Sequence, residues 1–153
     1  MKNLLLILLV SIIMPAGLFA GEDDDKEAIK EVITTAYVDG LQNKGPVEDI
    51  EAGFHPGFEL LGDRNNELTK WPIYSWVQYH ENKLKEDPGP PAKDEVVTSN
   101  FPMIDVTGNA AVAKVELFKG GNKIFTDYLS LYKFEEGWKI VSKIYFRHEQ
   151  EKQ

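Results

Sequence analysis

Past position 94 the sequence switches to a period of two, and this constrains the fold more than any other feature. Residues 96–106 form a long strand candidate, with Pro102 marking a sheet edge or a bulge. Gly108 and Asn109 make a turn. Ala111, Ala113, Val115 and Leu117 then alternate along a second strand. Gly120, Gly121 and Asn122 make the next turn, residues 124–134 the third strand, Glu135 to Gly137 another turn, and residues 138–148 the last strand. Four consecutive strands joined by tight turns predict an antiparallel meander.

The chain before this region has a different period. Asp23, Asp24 and Asp25 suit the start of a helix, where carboxylates meet unpaired amides and the positive end of the dipole. Ile29, Val32, Ile33, Ala36, Tyr37 and Leu41 follow at helical spacing, and Gly45 stops the run. Pro46 suits the start of a second short helix that ends at Gly53. Phe58, Leu60 and Leu61 read as a short strand, with a polar hairpin loop at residues 63–66. A third helix begins near Pro72 and carries Ile73, Trp76, Val77, His80 and Leu84 on one face, until EDPGPP at 86–91 ends it. Helices early and strands late predict an α+β domain, with three helices covering one face of a curved antiparallel sheet. A cavity at its mouth would be a natural site for a small molecule.

The first twenty residues, MKNLLLILLVSIIMPAGLFA, have the order of a secretory signal peptide: a positive residue, an apolar run, then small residues. The run is shorter than the about 20 apolar residues that span a bilayer. Cleavage after Ala20 leaves residues 21–153 as a single exported domain, periplasmic or secreted, large enough for its own core. The chain has no cysteine, so disulfides and thiol chemistry are excluded. Its formal charge of −8 disfavours binding to nucleic acid and adsorption to an anionic membrane.

FHPGFELLG at 54–62, Trp71 and Trp76, and TDYLSLYKFEEGWKIVSKIYF at 126–146 resemble the nuclear transport factor 2-like superfamily of SnoaL-like, cystatin-like cones. Within it, the chain is most similar to the exported family labelled putative lumazine-binding. The resemblance covers nearly all of residues 21–153. It implies an α+β cone with an internal pocket, and it leaves function open, because members include isomerases, dehydratases and binding modules. EDPGPP departs locally from the pattern and could reshape the pocket rim.

The last two strands hold the misplaced polar residues. Phe125, Asp127, Leu129 and Leu131 share one face by alternation, so Asp127 points into the cone. A buried carboxylate needs partners or a proton, which suits a ligand contact, a general base or a structural network. His55, just before a strand, is the natural partner to weigh with Asp127 as an acid–base pair. Tyr37, Phe58, Trp76 and Tyr79 are candidates for an aromatic lining, alongside core packing. His80 reads as structural or surface-placed, and His148 as solvated.

Unbroken alternation puts Trp138, Ile140, Ser142, Ile144 and Phe146 on the concave face. It puts Lys143 on the outer face with Tyr128, Tyr132, Val141 and Tyr145. That aromatic outer face fits a homodimer through the sheet. No phosphate loop, metal-ligand spacing or nucleophile elbow is present, so no metal or cofactor is expected. Three functions fit: a small-molecule binder lined by Tyr37, His55, Phe58, Trp76, Tyr79 and Asp127; a cofactor-independent isomerase or dehydratase using Asp127 and His55; or a pocketless interaction domain.

Overall fold

A computed structural model describes residues 21–149; the expected signal peptide at 1–20 lies outside the described residues. Helix α1 (Glu22–Val32) starts with Glu22, Asp23, Asp24 and Asp25 in its first turn, where their charge opposes the helix dipole. It continues unbroken into a π-helix (Ile33–Gln42). The wider turn is visible at its end, where the Asn43 amide donates to the Val38 carbonyl five residues back. Ile33, Ala36, Tyr37, Val38 and Gly40 are buried along this stretch.

Helix α2 (Val47–Gly53) follows Pro46, and strand β1 (Phe54–Arg64) begins directly after it. The strand is longer than expected and is paired with β2 (Glu67–Pro72) through a turn at Asn65 and Asn66. Both asparagines have positive φ, at 54° and 64°, the backbone that a two-residue hairpin turn requires. Helix α3 (Ile73–Glu86) is capped by Pro72 as the sequence predicts. Strands β3 (Val97–Thr107), β4 (Ala110–Lys119), β5 (Asn122–Phe134) and β6 (Gly137–Arg147) form the expected meander.

The six strands lie in the order β2-β1-β6-β5-β4-β3, with β1 parallel to β6 and the other pairs antiparallel. The sheet is curved and unclosed, with three helices completing an α+β cone. Pro102 satisfies both of its expected roles: β3 is an edge strand, and its register slips between Asn100 and Met103. The core is a continuous cluster of Ile29, Ile33, Phe54, Phe58, Val115, Leu117, Leu129, Leu131 and Ile140, among others. Near the N-terminus of α1, Asp25 accepts hydrogen bonds from Lys133 Nζ (2.6 Å) and Trp138 Nε1 (3.0 Å), tying the helix to the sheet. These bonds hold the Asp25 carboxyl below its ordinary range.

One irregularity decides what the cone contains. Leu131 pairs with Ile140, but Ser130 pairs with Ser142, so Val141 is an extra residue in β6. The bulge reverses the alternation beyond it. Lys143 therefore turns into the cone, where it is 4% exposed, while Ile144 and Phe146 turn outward at 53% and 63%. Unbroken alternation predicts the opposite, and that expectation is corrected for Ser142, Lys143, Ile144, Tyr145 and Phe146. Tyr128 and Tyr132 stay on the outer face, as expected.

Close packing of α2 on the π-helix limits what position 53 can hold. A Cβ at Gly53 would lie 2.2 Å from the Ala36 Cβ. Gly53→Ala should cost about 1–3 kcal/mol in chemical denaturation. An unchanged midpoint and slope would show that α2 does not seat this closely.

Candidate functional site

The bulge puts three polar side chains together beneath the helices. Tyr37 Oη donates to Asp127 Oδ2 at 2.6 Å. Lys143 Nζ donates to Tyr37 Oη at 2.6 Å and to Asp127 Oδ1 at 3.2 Å. Each residue is supplied by a different element. Tyr37 comes from the π-helix, Asp127 from β5 and Lys143 from β6. Lys143 lies opposite Leu129 and Leu60 in the adjacent strands, and Asp127 is its diagonal neighbour on β5. Asp127 and Tyr37 are 0% and 1% exposed, so the triad is sealed from water.

Four rings surround the ammonium group. Its Nζ lies 4.7 Å from the Tyr37 centroid, 5.1 Å from Tyr145, 5.4 Å from Trp76 and 5.9 Å from Phe125. Their faces offer the cation electron density that water would otherwise supply. Above them, Trp71 stacks on Trp76 with centroids 6.2 Å apart. Trp71, Tyr79 and Tyr145 are exposed at 43%, 53% and 39%, which makes an aromatic rim above a charged floor.

Burial pushes the Lys143 ammonium below the ordinary lysine range, against the opposing pull of Asp127. Burial, reinforced by the Asp127 charge, pushes the Tyr37 hydroxyl well above its ordinary value. Tyr37 is therefore a neutral donor at physiological pH. Lys143 is a cation whose proton is easier to remove than that of a solvated lysine. Among the described residues, no buried side-chain nitrogen or oxygen lacks a hydrogen-bond partner.

The structure brings together some of the expected residues and separates others. Tyr37 and Asp127 meet, and Trp76 covers them. Phe58 is fully buried, with its ring 4.8 Å from Phe54 and 6.2 Å from Trp76 by centroid. Tyr79 stands at the rim beside Trp71. His55 does not join them. Its Nδ1 accepts from the Gly57 amide at 3.0 Å, and its ring stacks on Phe134 at 4.8 Å. Phe134 is seven residues along β5 from Asp127, roughly 23 Å at strand rise.

His80 is buried, with Nε2 2.9 Å from the Gly45 carbonyl, a structural role as expected. His148, expected to be solvated, is instead half-buried and meets the Thr126 hydroxyl through Nε2 at 2.9 Å. Among the described residues, no group of three or more His, Asp or Glu could hold a metal ion. A groove of about 380 Å³ runs along the other side of α3, lined by Glu51, Pro56, Ile73, Tyr74, Val77 and Glu81 among others, and none of the triad lines it.

Fold and floor together define an NTF2-like cone with a buried polar centre. The family model described as putative lumazine-binding matches residues 24–146, and the chain belongs to that family. Among curated proteins, it is similar to the aldolase FrzH of a Cladobotryum species, 27% identical over 117 residues that cover 74% of this chain and 86% of the relative. An NTF2-like protein of unknown function from Shewanella baltica superposes with a TM-score of 0.66 at 26% identity, covering 85% of this chain and 98% of that one. Another from Methylobacillus flagellatus gives 0.63 at 28% identity, covering 85% and 97%.

The triad's energetics are asymmetric. Removing one partner of a buried ion pair leaves the other charge unpaired and costs about 3–5 kcal/mol. Replacing both partners by uncharged side chains of similar volume is often nearly neutral. Asp127→Ala should therefore destabilise the fold by about 3–5 kcal/mol, and Asp127→Leu combined with Lys143→Met by much less. Additive losses in a denaturation cycle would show that the two groups are not paired in solution.

Proposed function

We propose that this is an exported domain that binds a small molecule at the mouth of its cone, over the triad of Lys143, Asp127 and Tyr37. The observation that carries this reading is the triad, a charged floor beneath a rim of exposed aromatic rings. A core built for stability alone gains little from a buried lysine–aspartate pair, because desolvation offsets most of the attraction. Trp71, Trp76, Tyr79 and Tyr145 offer flat faces, which favours a planar ring carrying polar groups over a sugar or a phosphate. The family's label points to lumazine, which has this character. Tyr145 covers the ammonium group, so a ligand that reaches the floor must displace this side chain.

A second reading is a cofactor-independent acid–base enzyme. Tyr37 held neutral beside a lysine with a lowered pKa supports it, as does the similarity to a protein named as an aldolase. In this form the acid–base partners of Asp127 are Tyr37 and Lys143, because His55 lies at the other end of the strand.

We also propose that a second copy of the chain covers the outer sheet face, where Tyr128, Tyr132, Ile144 and Phe146 are exposed side by side on β5 and β6. Native mass spectrometry of protein purified gently from its own host reads both proposals together. A dimer carrying additional non-covalent mass is the expected result. Lumazine should also quench tryptophan emission saturably, since Trp71 stands at the rim and stacks on Trp76 beneath it. A protein without bound mass and without a lumazine response would contradict the binding reading, and a monomer would contradict the sheet-face dimer.

A further inference from the structure

Among the described residues, Lys143 is the one buried lysine. Its surroundings differ from those of a cation held for stability. Buried structural ion pairs favour arginine, whose guanidinium keeps its proton and fits a carboxylate with two parallel bonds. A buried lysine is instead the side chain that becomes a nucleophilic amine, because desolvation weakens its hold on the proton. Its two hydrogen-bond partners are a carboxylate at 3.2 Å and a neutral phenol at 2.6 Å. They can take and return a proton within one connected network, since Tyr37 also bonds Asp127 at 2.6 Å.

We infer that Lys143 Nζ forms an imine with the carbonyl carbon of an aldehyde or ketone bound at the cone mouth. This rests on the proposed ligand site and specifies the chemical class that the site takes. In the first step the Lys143 ammonium passes one proton into the Asp127–Tyr37 network, and the free amine attacks the carbonyl carbon. The N–C bond forms, the carbonyl π pair moves to oxygen, and that oxygen takes a proton from Tyr37. The carbinolamine nitrogen returns its extra proton to the network. In the second step the nitrogen lone pair expels the hydroxyl, which leaves as water after taking a further proton from the network. Ammonium plus carbonyl thus gives iminium plus water, with no other reactant.

The charge also balances. The site begins with one cation beside Asp127 and ends with one cation beside Asp127, so the buried counter-ion is paired throughout. The four rings that face the ammonium can face the iminium in the same way. Tyr145, at 39% exposed against 1% for Tyr37, is the ring whose displacement opens a path to Nζ. The titratable groups facing Nζ from the packed elements are Asp127 and Tyr37 by hydrogen bond, and Tyr145 by its ring.

Brief reductive methylation of the purified protein with formaldehyde and cyanoborohydride near pH 7, followed by peptide mass mapping, tests the inference. Formaldehyde is the smallest carbonyl, and the hydride traps any imine as a methylated lysine. An imine-forming Lys143 is methylated ahead of the exposed Lys30 and Lys70, so its methylated peptide appears first in the time course. A lysine buried only for structure reacts last. Methylation of Lys143 together with or after Lys30 and Lys70 would overturn the inference. That result alongside bound mass or a saturable lumazine response would leave the binding site standing and remove only the imine. Absence of both would remove the two together.

Discussion

A lysine and an aspartate enclosed in an apolar core must find each other, because each alone would cost several kcal/mol of lost hydration. In this protein the rest of the cone is arranged around that requirement. Leu60 and Leu129 hold the Lys143 stem from the strands on either side, and the π-helix brings the Tyr37 hydroxyl between the two charges. Trp76 closes the site from α3, and its stack on Trp71 links the sealed floor to the open rim. Hydrogen bonding and ring faces replace the water that the ammonium loses. The cost left over is the conformational freedom of a long side chain, which the neighbouring strands restrict.

Two local departures from regular structure make this possible. The extra residue Val141 changes which face of β6 carries Lys143, and the π-helix widens the segment that presents Tyr37. Irregularities of both kinds recur at functional sites because they re-aim a side chain without changing the fold. Here they act on two of the three triad members. The third, Asp127, sits in a regular part of β5 with an unshifted register against both neighbouring strands.

The same contrast explains what could be read from the sequence. The meander and the three helices were legible because they are written in local period and turn chemistry: Gly108, Gly120 and Gly137 all take positive φ where turns were expected. Asp127 was legible because β5 alternates without interruption along that stretch. Lys143 was not. Neither glycine nor proline marks the bulge at Val141. Alternation in either phase leaves a polar misfit on the inner face, Ser142 in one and Lys143 in the other. Only the pairing with β5 settles the phase: Leu131 meets Ile140, yet Ser130 lies opposite Ser142 and not Val141. His55 failed as a partner for the complementary reason: its position depends on how far along the strand it lies, which sequence proximity to a strand start does not give.

The central claim is that Lys143 lies inside the cone as one member of a connected polar unit. A side-chain NMR titration of the folded protein, with lysine labelled at Cε and Lys143 assigned by Lys143→Arg, tests it most directly. Burial lowers its pKa relative to a solvated lysine despite the attraction of Asp127. The folded state should therefore gain stability as pH rises from this lowered value toward the ordinary 10.5, where the unfolded chain gives up the same proton. The account predicts a Lys143 resonance that titrates below the ordinary lysine value of 10.5. A Lys143 signal that titrates at the ordinary 10.5 would place the side chain in water and contradict the bulge, the triad and the site built on both.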